Sequence, residues 1–547
     1  MITRNYKTRV FAVFFGFVFL FCVIIARLFL VQIKSAEFFK RLGEEQYELN
    51  ISLLPGRGTV FDRNGVPLAF NQQVQSAFLI PRHMEEEDRT KPFLKKKYPE
   101  VYTRLQENSD KYFLWLERGM DEKKAAWLKK QELADIHFME EPRRFYPFST
   151  FTHLIGTTDI DNNGIAGIEM QFNNILAGKP TSIRLERDAR SKTLYFNKTI
   201  TEYGSEGNTL QLSLDSTLQT IAYDELKKSV SFFNAVSGSV LVLNPDTGEV
   251  LVMANYPADE KNVPVCECFE LGSVMKAFCA VAALDEGLVQ PNEPIDCEAE
   301  ITYIDGVKVV NPTIVLNNLL REHNYIIPFY DVIRYSSNVG IAKVAKRLGP
   351  KLYDHLIRMG FNKKTGIEFP GERDGFVNHP SRWSKPSLIV MSFGYELMVS
   401  LMQVARAFCV IANGGYAVKP TLIKQQEPVK LTTRIYKQQT IDNIKMILDR
   451  GTKMCSFPNV QVKGKTGTVQ CVKDGHYSKT AHRYTYAGIV EHNNYRRVVV
   501  TFIQEPTKAS LWASEVAAPL FKSVAEHMIV HDLVHNPSRR PYYAKAS

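Results

Sequence analysis

Ser273-Val274-Met275-Lys276-Ala277-Phe278-Cys279-Ala280-Val281-Ala282-Ala283-Leu284-Asp285-Glu286-Gly287 is the stretch on which the reading of this chain turns. It is a helix-like run, and three residues of helix put the Ser273 Oγ and the Lys276 Nζ on one face, one turn apart. Serine is a weak nucleophile at its own pKa and needs an adjacent base. A lysine packed in an apolar helix loses its proton readily, because desolvation disfavours the ammonium. The start of the helix also aims backbone N–H groups toward the serine, where an oxyanion would form. Alone, S-x-x-K is a short pattern with a plain alternative: a helix cap followed by a solvated lysine.

Two further elements change that balance. Ser336-Ser337-Asn338 interrupts a helical pattern in RYSSNVGIAKVAKRLG, as a turn between helices does when its polar side chains point into a cleft. Lys465-Thr466-Gly467-Thr468 follows Val460, Val462 and Gly464 on a strand pattern, and its glycine lets a ligand backbone come close. Around them, Leu210, Leu212 and Leu214 alternate as a strand, and Asp215 can cap a helix running to Phe233. Ser237 to Val242 and Glu249 to Ala254 form a hairpin about the Asn244-Pro245-Asp246-Thr247-Gly248 turn. Helices dominate from 273 to 415, and strands return at 461–470 and 484–504. The expectation is an α+β body whose sheet strands are far apart in sequence.

At 547 residues the chain holds more than one core. From Val10 to Ala26 it carries no charge, and the apolar run resumes after Arg27 from Leu28 to Val31, which is long enough to span a bilayer. A cleaved signal peptide competes with this reading, but the run is longer than such h-regions and no A-x-A-like site follows. Arg4, Lys7 and Arg9 precede the span without an acid, so the N-terminus is expected in the cytoplasm and the rest exported. The expected organisation is a cytoplasmic N-terminus (1–9), a transmembrane anchor (10–33), a mixed charge-rich domain (34–208), a second domain (209–535) and a frayed tail (536–547). Within 34–208, the acids at 85–88 and lysines at 95–97 read as a solvated helical face or loop. Asn64-Gly65 closes a hairpin signal.

The net charge of +10 sits at the ends. Residues 1–41 hold seven Lys/Arg and one acid, and the tail adds Arg539, Arg540 and Lys545, so the body is almost neutral. That disfavours a nucleic-acid partner. Cys266 and Cys268 are the one close cysteine pair; a loop disulfide, two free thiols and a metal ligand pair are the alternatives. His527, His531 and His535 recur every four residues, either as a polar stripe on a terminal amphipathic helix or as metal ligands.

The order S-x-x-K, S-x-N, K-T-G is the signature of penicillin-recognising serine acyltransferases. The whole chain resembles a class B penicillin-binding protein, a peptidoglycan D,D-transpeptidase. Arg27 to Ile33, Arg57-Gly58 with Asp62-Arg63-Asn64-Gly65, Arg144-Phe145-Tyr146-Pro147, His153-Leu154-Ile155-Gly156 and Gly167-Ile168-Glu169 resemble the family's anchor and pedestal motifs. Ser392-Phe393-Gly394-Tyr395 and Ile411-Ala412-Asn413-Gly414-Gly415 resemble segments between its second and third active-site motifs. The resemblance implies an elongated α+β pedestal (the dimerisation-type domain) and a transpeptidase domain with a central antiparallel sheet and a helical subdomain.

It also implies roles. Ser273 would attack the penultimate D-alanine carbonyl of a stem peptide ending in D-Ala-D-Ala, Lys276 would accept its proton, and Ser336 would relay one to the leaving amine. Asn338 would hold the donor amide, Lys465 would orient Ser336 and attract the substrate carboxylate, and Thr466 and Thr468 would bind that carboxylate, beside Gly467. Backbone N–H groups of Ser273 and Thr468 would form the oxyanion hole. β-Lactams would acylate Ser273. No cofactor or metal is required, and the expected protein partners are a multi-span glycosyltransferase and other membrane division proteins.

Ser336-x-Asn338, the Ser392–Tyr395 segment and the modest length look more like the septal, FtsI-type enzymes than the elongation type. A D,D-carboxypeptidase or β-lactamase is disfavoured by the pedestal motifs, and a non-catalytic sensor or scaffold by the intact motif residues. Two residues depart from the family: Leu271 where proline is usual, and Glu396 where glycine is usual.

Overall fold

The computed structural model describes residues 3–109, 111, 113–187, 195–258, 261–298, 300–427, 429–449, 457, 460–492, 495–508 and 512–535. The tail expected at 536–547 lies outside them. Packing divides the chain into two compact units that interleave in sequence: residues 1–57, 71–143 and 177–207, and residues 58–70, 144–176 and 208–547. Segments 58–70 and 144–176 belong with the second unit because Val60, Leu68, Phe151, Leu154, Ile155 and Ile168 are buried in one core with Leu212, Leu214 and Leu243.

In the first unit, helix Thr3–Phe29 continues into a π-helical turn at Leu30–Lys34, and Tyr6–Lys34 is long and apolar enough to cross a membrane. Glu48–Leu53, Thr181–Arg187 and Tyr195–Glu202 form an antiparallel sheet. A second core buries Leu79, Leu94, Leu105, Leu116 and Leu128. The charge runs meet at helix Glu87–Lys97: Glu85 and Glu86 precede it, Glu87 and Asp88 lie in its first turn and Lys95 to Lys97 in its last, the polarity that complements a helix dipole.

The second unit is built on a five-stranded antiparallel sheet. Its strands are β1 (Ser237–Leu243), β2 (Val250–Tyr256), β3 (Gln461–Lys473), β4 (His476–His492) and β5 (Tyr495–Gln504), in the order β2-β1-β5-β4-β3. Both faces are buried, which is why Val240–Leu243 of β1 and Val498–Val500 of β5 are unbroken apolar runs. Val240, Val242, Val499 and Ile503 pack with Leu218, Leu226 and Phe521 from helices Ser216–Phe233 and Ala513–His535. Leu241, Leu243, Val498 and Phe502 face the helical part, including Met275–Asp285 and Leu401–Ala412.

Local chemistry accounts for the element ends. Asp215 accepts from Thr217 N and Leu218 N at 3.1 and 3.0 Å and caps the helix that it precedes. Asp62 is fully buried; it accepts from Asn64 N and Val66 N within the turn, and from Ser216 N and Oγ, so its two oxygens fasten the turn to the helix start. The helical stretch 273–415 is interrupted by a hairpin, Ile301–Ile304 with Val307–Val310, turning at Asp305-Gly306 where φ is +49° and +81°. His527 Nδ1 lies 2.8 Å from Ser523 O, and His531 lies beside Asp215 and Asp532, so both histidines engage their own surroundings. Among the described residues no group of His, Cys, Asp and Glu has metal-holding geometry.

Arg144 and Glu169 form a buried pair at 2.6 Å, with side chains 2% and 0% exposed. Removing one partner strands the other charge. Glu169→Ala is therefore expected to destabilise the protein by about 3–5 kcal/mol, read as a lowered thermal or urea midpoint. A midpoint equal to wild type would show that the pair carries no such weight.

Candidate active site

The second unit brings the three motifs together. Ser273 sits in a 3-10 turn, Gly272–Val274, that leads into helix Met275–Asp285. The turn is held from outside: Leu271 N and Gly272 N both donate to Gly394 O at 3.1 Å, and Phe269 and Val399 exchange backbone hydrogen bonds. Leu271 thus uses an N–H that proline lacks, so the departure from the family is matched by a hydrogen bond. Glu396, the other departure, has φ +56°, a backbone that glycine adopts at less cost; its N–H is satisfied by Glu270 Oε1 at 3.0 Å.

Ser273 is half-buried, whereas Lys276 is fully buried. The Lys276 Nζ donates to Ser336 O at 2.6 Å and to Asn338 Oδ1 at 2.6 Å, and lies 3.0 Å from Ser336 Oγ. Ser336 reaches it from the turn between helices Phe329–Arg334 and Asn338–Leu348, with φ +62°. That left-handed backbone points both the carbonyl and the hydroxyl of Ser336 at the lysine. Lys465 Nζ approaches the same Ser336 Oγ at 3.2 Å from strand β3. One serine hydroxyl therefore links two buried lysines.

Burial sets the protonation of this cluster. Desolvation first, then the Lys465 charge, lowers the Lys276 pKa well below that of a free lysine. Desolvation brings Lys465 down to about 8. A neutral Lys276 has two N–H bonds and one lone pair. The two carbonyl oxygens at 2.6 Å take the N–H bonds, which leaves the lone pair for hydroxyl groups.

Among the described residues β3 is an edge strand of this sheet, the position at which a peptide can add as a further strand. Gly467 is required by close approach: a Cβ there would lie 2.8 Å from Leu271 O and from Val274 Cγ2. Gly272, at φ +57°, meets the same strand, since its Cβ would lie 2.8 Å from Thr468 O. The Lys465–Thr468 strand and the Ser273 turn are thus in backbone-to-backbone contact. Thr466 and Thr468 are half-buried on one side of the strand. Thr468 Oγ1 accepts from Ala513 N at 3.1 Å, so its proton stays available to a ligand oxygen.

All eight residues singled out from the sequence lie in this one assembly, and polar contacts join Lys276, Ser336, Asn338 and Lys465. Sequence reasoning missed Glu270, which accepts from Tyr477 O–H at 2.9 Å as well as from Glu396 N, and Asn311, which stands behind the Ser336–Asn338 turn. Cys266 and Cys268 are free thiols, as are all the other described cysteines.

The chain is similar to known proteins. The penicillin binding protein transpeptidase domain matches residues 238–526, and the penicillin-binding protein dimerisation domain matches residues 52–212. A probable peptidoglycan D,D-transpeptidase, PbpC, of Pseudomonas aeruginosa is 30% identical over 95% of this chain and 94% of its own length. The peptidoglycan D,D-transpeptidase FtsI of Escherichia coli is 29% identical, covering 92% of this chain and 89% of its own. The crystal structure of penicillin binding protein 3 of Mycobacterium tuberculosis complexed with aztreonam superposes with a TM-score of 0.67 at 24% identity, covering 88% of this chain and 98% of that one, a likeness of fold. The chain belongs to the penicillin-binding proteins with a transpeptidase domain. Joined to the dimerisation domain, that makes it a class B member, FtsI-like.

Proposed function

We propose that this protein is a membrane-anchored peptidoglycan D,D-transpeptidase that cross-links stem peptides through an acyl-enzyme on Ser273. The observation that carries the reading is the junction of Lys276, Ser336, Asn338 and Lys465 beside the Ser273 turn. The neutral Lys276 amine takes the Ser273 proton as Oγ attacks the penultimate D-alanine carbonyl, and backbone N–H groups of Ser273 and Thr468 receive the oxyanion. Collapse breaks the peptide bond to the terminal D-alanine; Ser336, between the two lysines, passes the proton to the leaving amine. An amine of a neighbouring stem then attacks the ester, forms the new amide and restores Ser273. Lys465, Thr466 and Thr468 hold the donor carboxylate, and the second N–H of the Asn338 amide is available to the donor's peptide carbonyl. A β-lactam follows the same first step and remains attached.

The N-terminal helix anchors the enzyme with residues 1–9 in the cytoplasm and the catalytic unit outside the bacterial inner membrane. We assign it to septal wall synthesis, with a multi-span glycosyltransferase and other division proteins as partners, on the strength of Ser336-x-Asn338, Ser392–Tyr395 and relatives named FtsI. Depletion in the host tests the assignment. Filaments with failed septa are expected; rounded cells with septa intact would transfer the enzyme to elongation.

A further inference from the structure

We propose that Asn311 is a positioning residue for this active site: its side-chain oxygen caps the helix that carries Asn338 and so aims Ser336 and Asn338 at Lys276. The inference rests on the transpeptidase reading above, and no sequence motif contains this residue.

A helix leaves its first N–H groups without partners inside the helix. Helix Asn338–Leu348 meets that demand with two residues from different parts of the chain. Ser337 Oγ accepts from Gly340 N at 3.0 Å, as an N-cap serine does. Asn311 Oδ1 accepts from Asn338 N at 3.0 Å and from Val339 N at 3.2 Å, and also from Ser337 Oγ at 2.9 Å. Three donors thus converge on one oxygen of a residue that is 3% exposed.

The backbone beside Asn311 adds a fourth tie. Asn338 Nδ2 donates to Val310 O at 2.8 Å, while Asn338 Oδ1 accepts from Lys276 Nζ. The amide of Asn338 is therefore oriented at one end by the hairpin and at the other by the catalytic lysine. Asn311 itself is set by two features: its N–H donates to Glu300 O at 2.8 Å, and Pro312 keeps it out of the helical region.

Ser336 is where the cap acts on chemistry. A non-glycine residue at φ +62° persists only if its surroundings hold it there. With Ser337 and Asn338 pinned to Asn311, the chain entering the helix has one course, and Ser336 O and Oγ remain directed at Lys276. Without the cap, the turn can relax and withdraw the groups that occupy the N–H bonds of Lys276. Displacement by about 1 Å costs about 10²-fold in rate.

Two measurements test this. In hydrogen exchange, Asn311→Ala is expected to lower the protection of the 338 and 339 amides about tenfold, whereas Asn311→Asp, whose carboxylate accepts the same donors, keeps it. In acylation by a fluorescent penicillin, Asn311→Ala is expected to be about 10²-fold slower with a displaced acidic limb in its pH–rate profile, and Asn311→Asp to recover to within about fivefold. Val309→Ala, a buried change in the same hairpin, is expected to lower the melting temperature but leave the profile in place. Wild-type protection at 338 and 339 in Asn311→Ala, an unmoved profile, or an aspartate variant as slow as the alanine one would overturn the proposal. Failure of the wild type to label would instead overturn the Ser273 assignment and leave the exchange measurement to decide the cap.

Discussion

Ser273→Ala is expected to abolish covalent labelling by penicillin and the formation of peptide cross-links, a loss of about 10⁴-fold or more. Only the Oγ is removed, from a half-buried position in a turn whose contacts are made by backbone groups of Leu271 and Gly272. The variant should therefore melt with the wild type, within about 0.5 kcal/mol. Lys465, Thr466 and Asn338 remain, so reversible β-lactam binding should survive the loss of acylation. Intact-mass spectrometry after exposure to a β-lactam reads the outcome: one adduct on the wild type, mapped to the Ser273 peptide, and none on the variant. An adduct of the same yield on Ser273→Ala would remove this serine from the mechanism.

The sheet and its helices were legible because their signals are local. Ser237 to Val242 and residues 484–504 read as strands, the Asn-Pro-Asp-Thr-Gly turn joins β1 to β2, and Asp215 stands one residue before the helix that it caps. The catalytic set was legible for a different reason. Each motif pairs a reactive side chain with the local structure it needs, and Gly467 and Gly272 mark the places where two backbones touch.

What was not legible depends on partners distant in sequence. Nothing near residue 58 or residue 144 announces that these segments join the core of Leu243 and Leu214, since an apolar residue does not name its neighbour. Asp305-Gly306 is a recognisable hairpin signal, yet it lies in a stretch whose other signals are helical and outweigh it. Asn311-Pro312 looks like any loop entry, because its three donors come from residues 337 to 339. Glu270 is hidden in the same way: its hydrogen-bond partners are Glu396 and Tyr477.

The second large effect concerns Lys276, and it can be separated from damage to the fold by its pH dependence. Lys276→Met keeps the length and apolar character of the side chain while removing the amine, so acylation is expected to fall about 10³-fold, within the range for loss of a general base. In the wild type, the rate should rise with pH as Lys276 gives up its proton, and its depressed pKa brings that limb below the range of a free lysine. The rate should fall again near pH 8, where Lys465 loses the charge that attracts the donor carboxylate. The methionine variant should lose the acidic limb and keep the basic one, because Lys465 still titrates. Stopped-flow acylation across pH, on protein shown by circular dichroism to be folded, distinguishes the two. A variant that is slow but retains the acidic limb would place the base elsewhere and reduce Lys276 to a scaffold for Ser336 and Asn338.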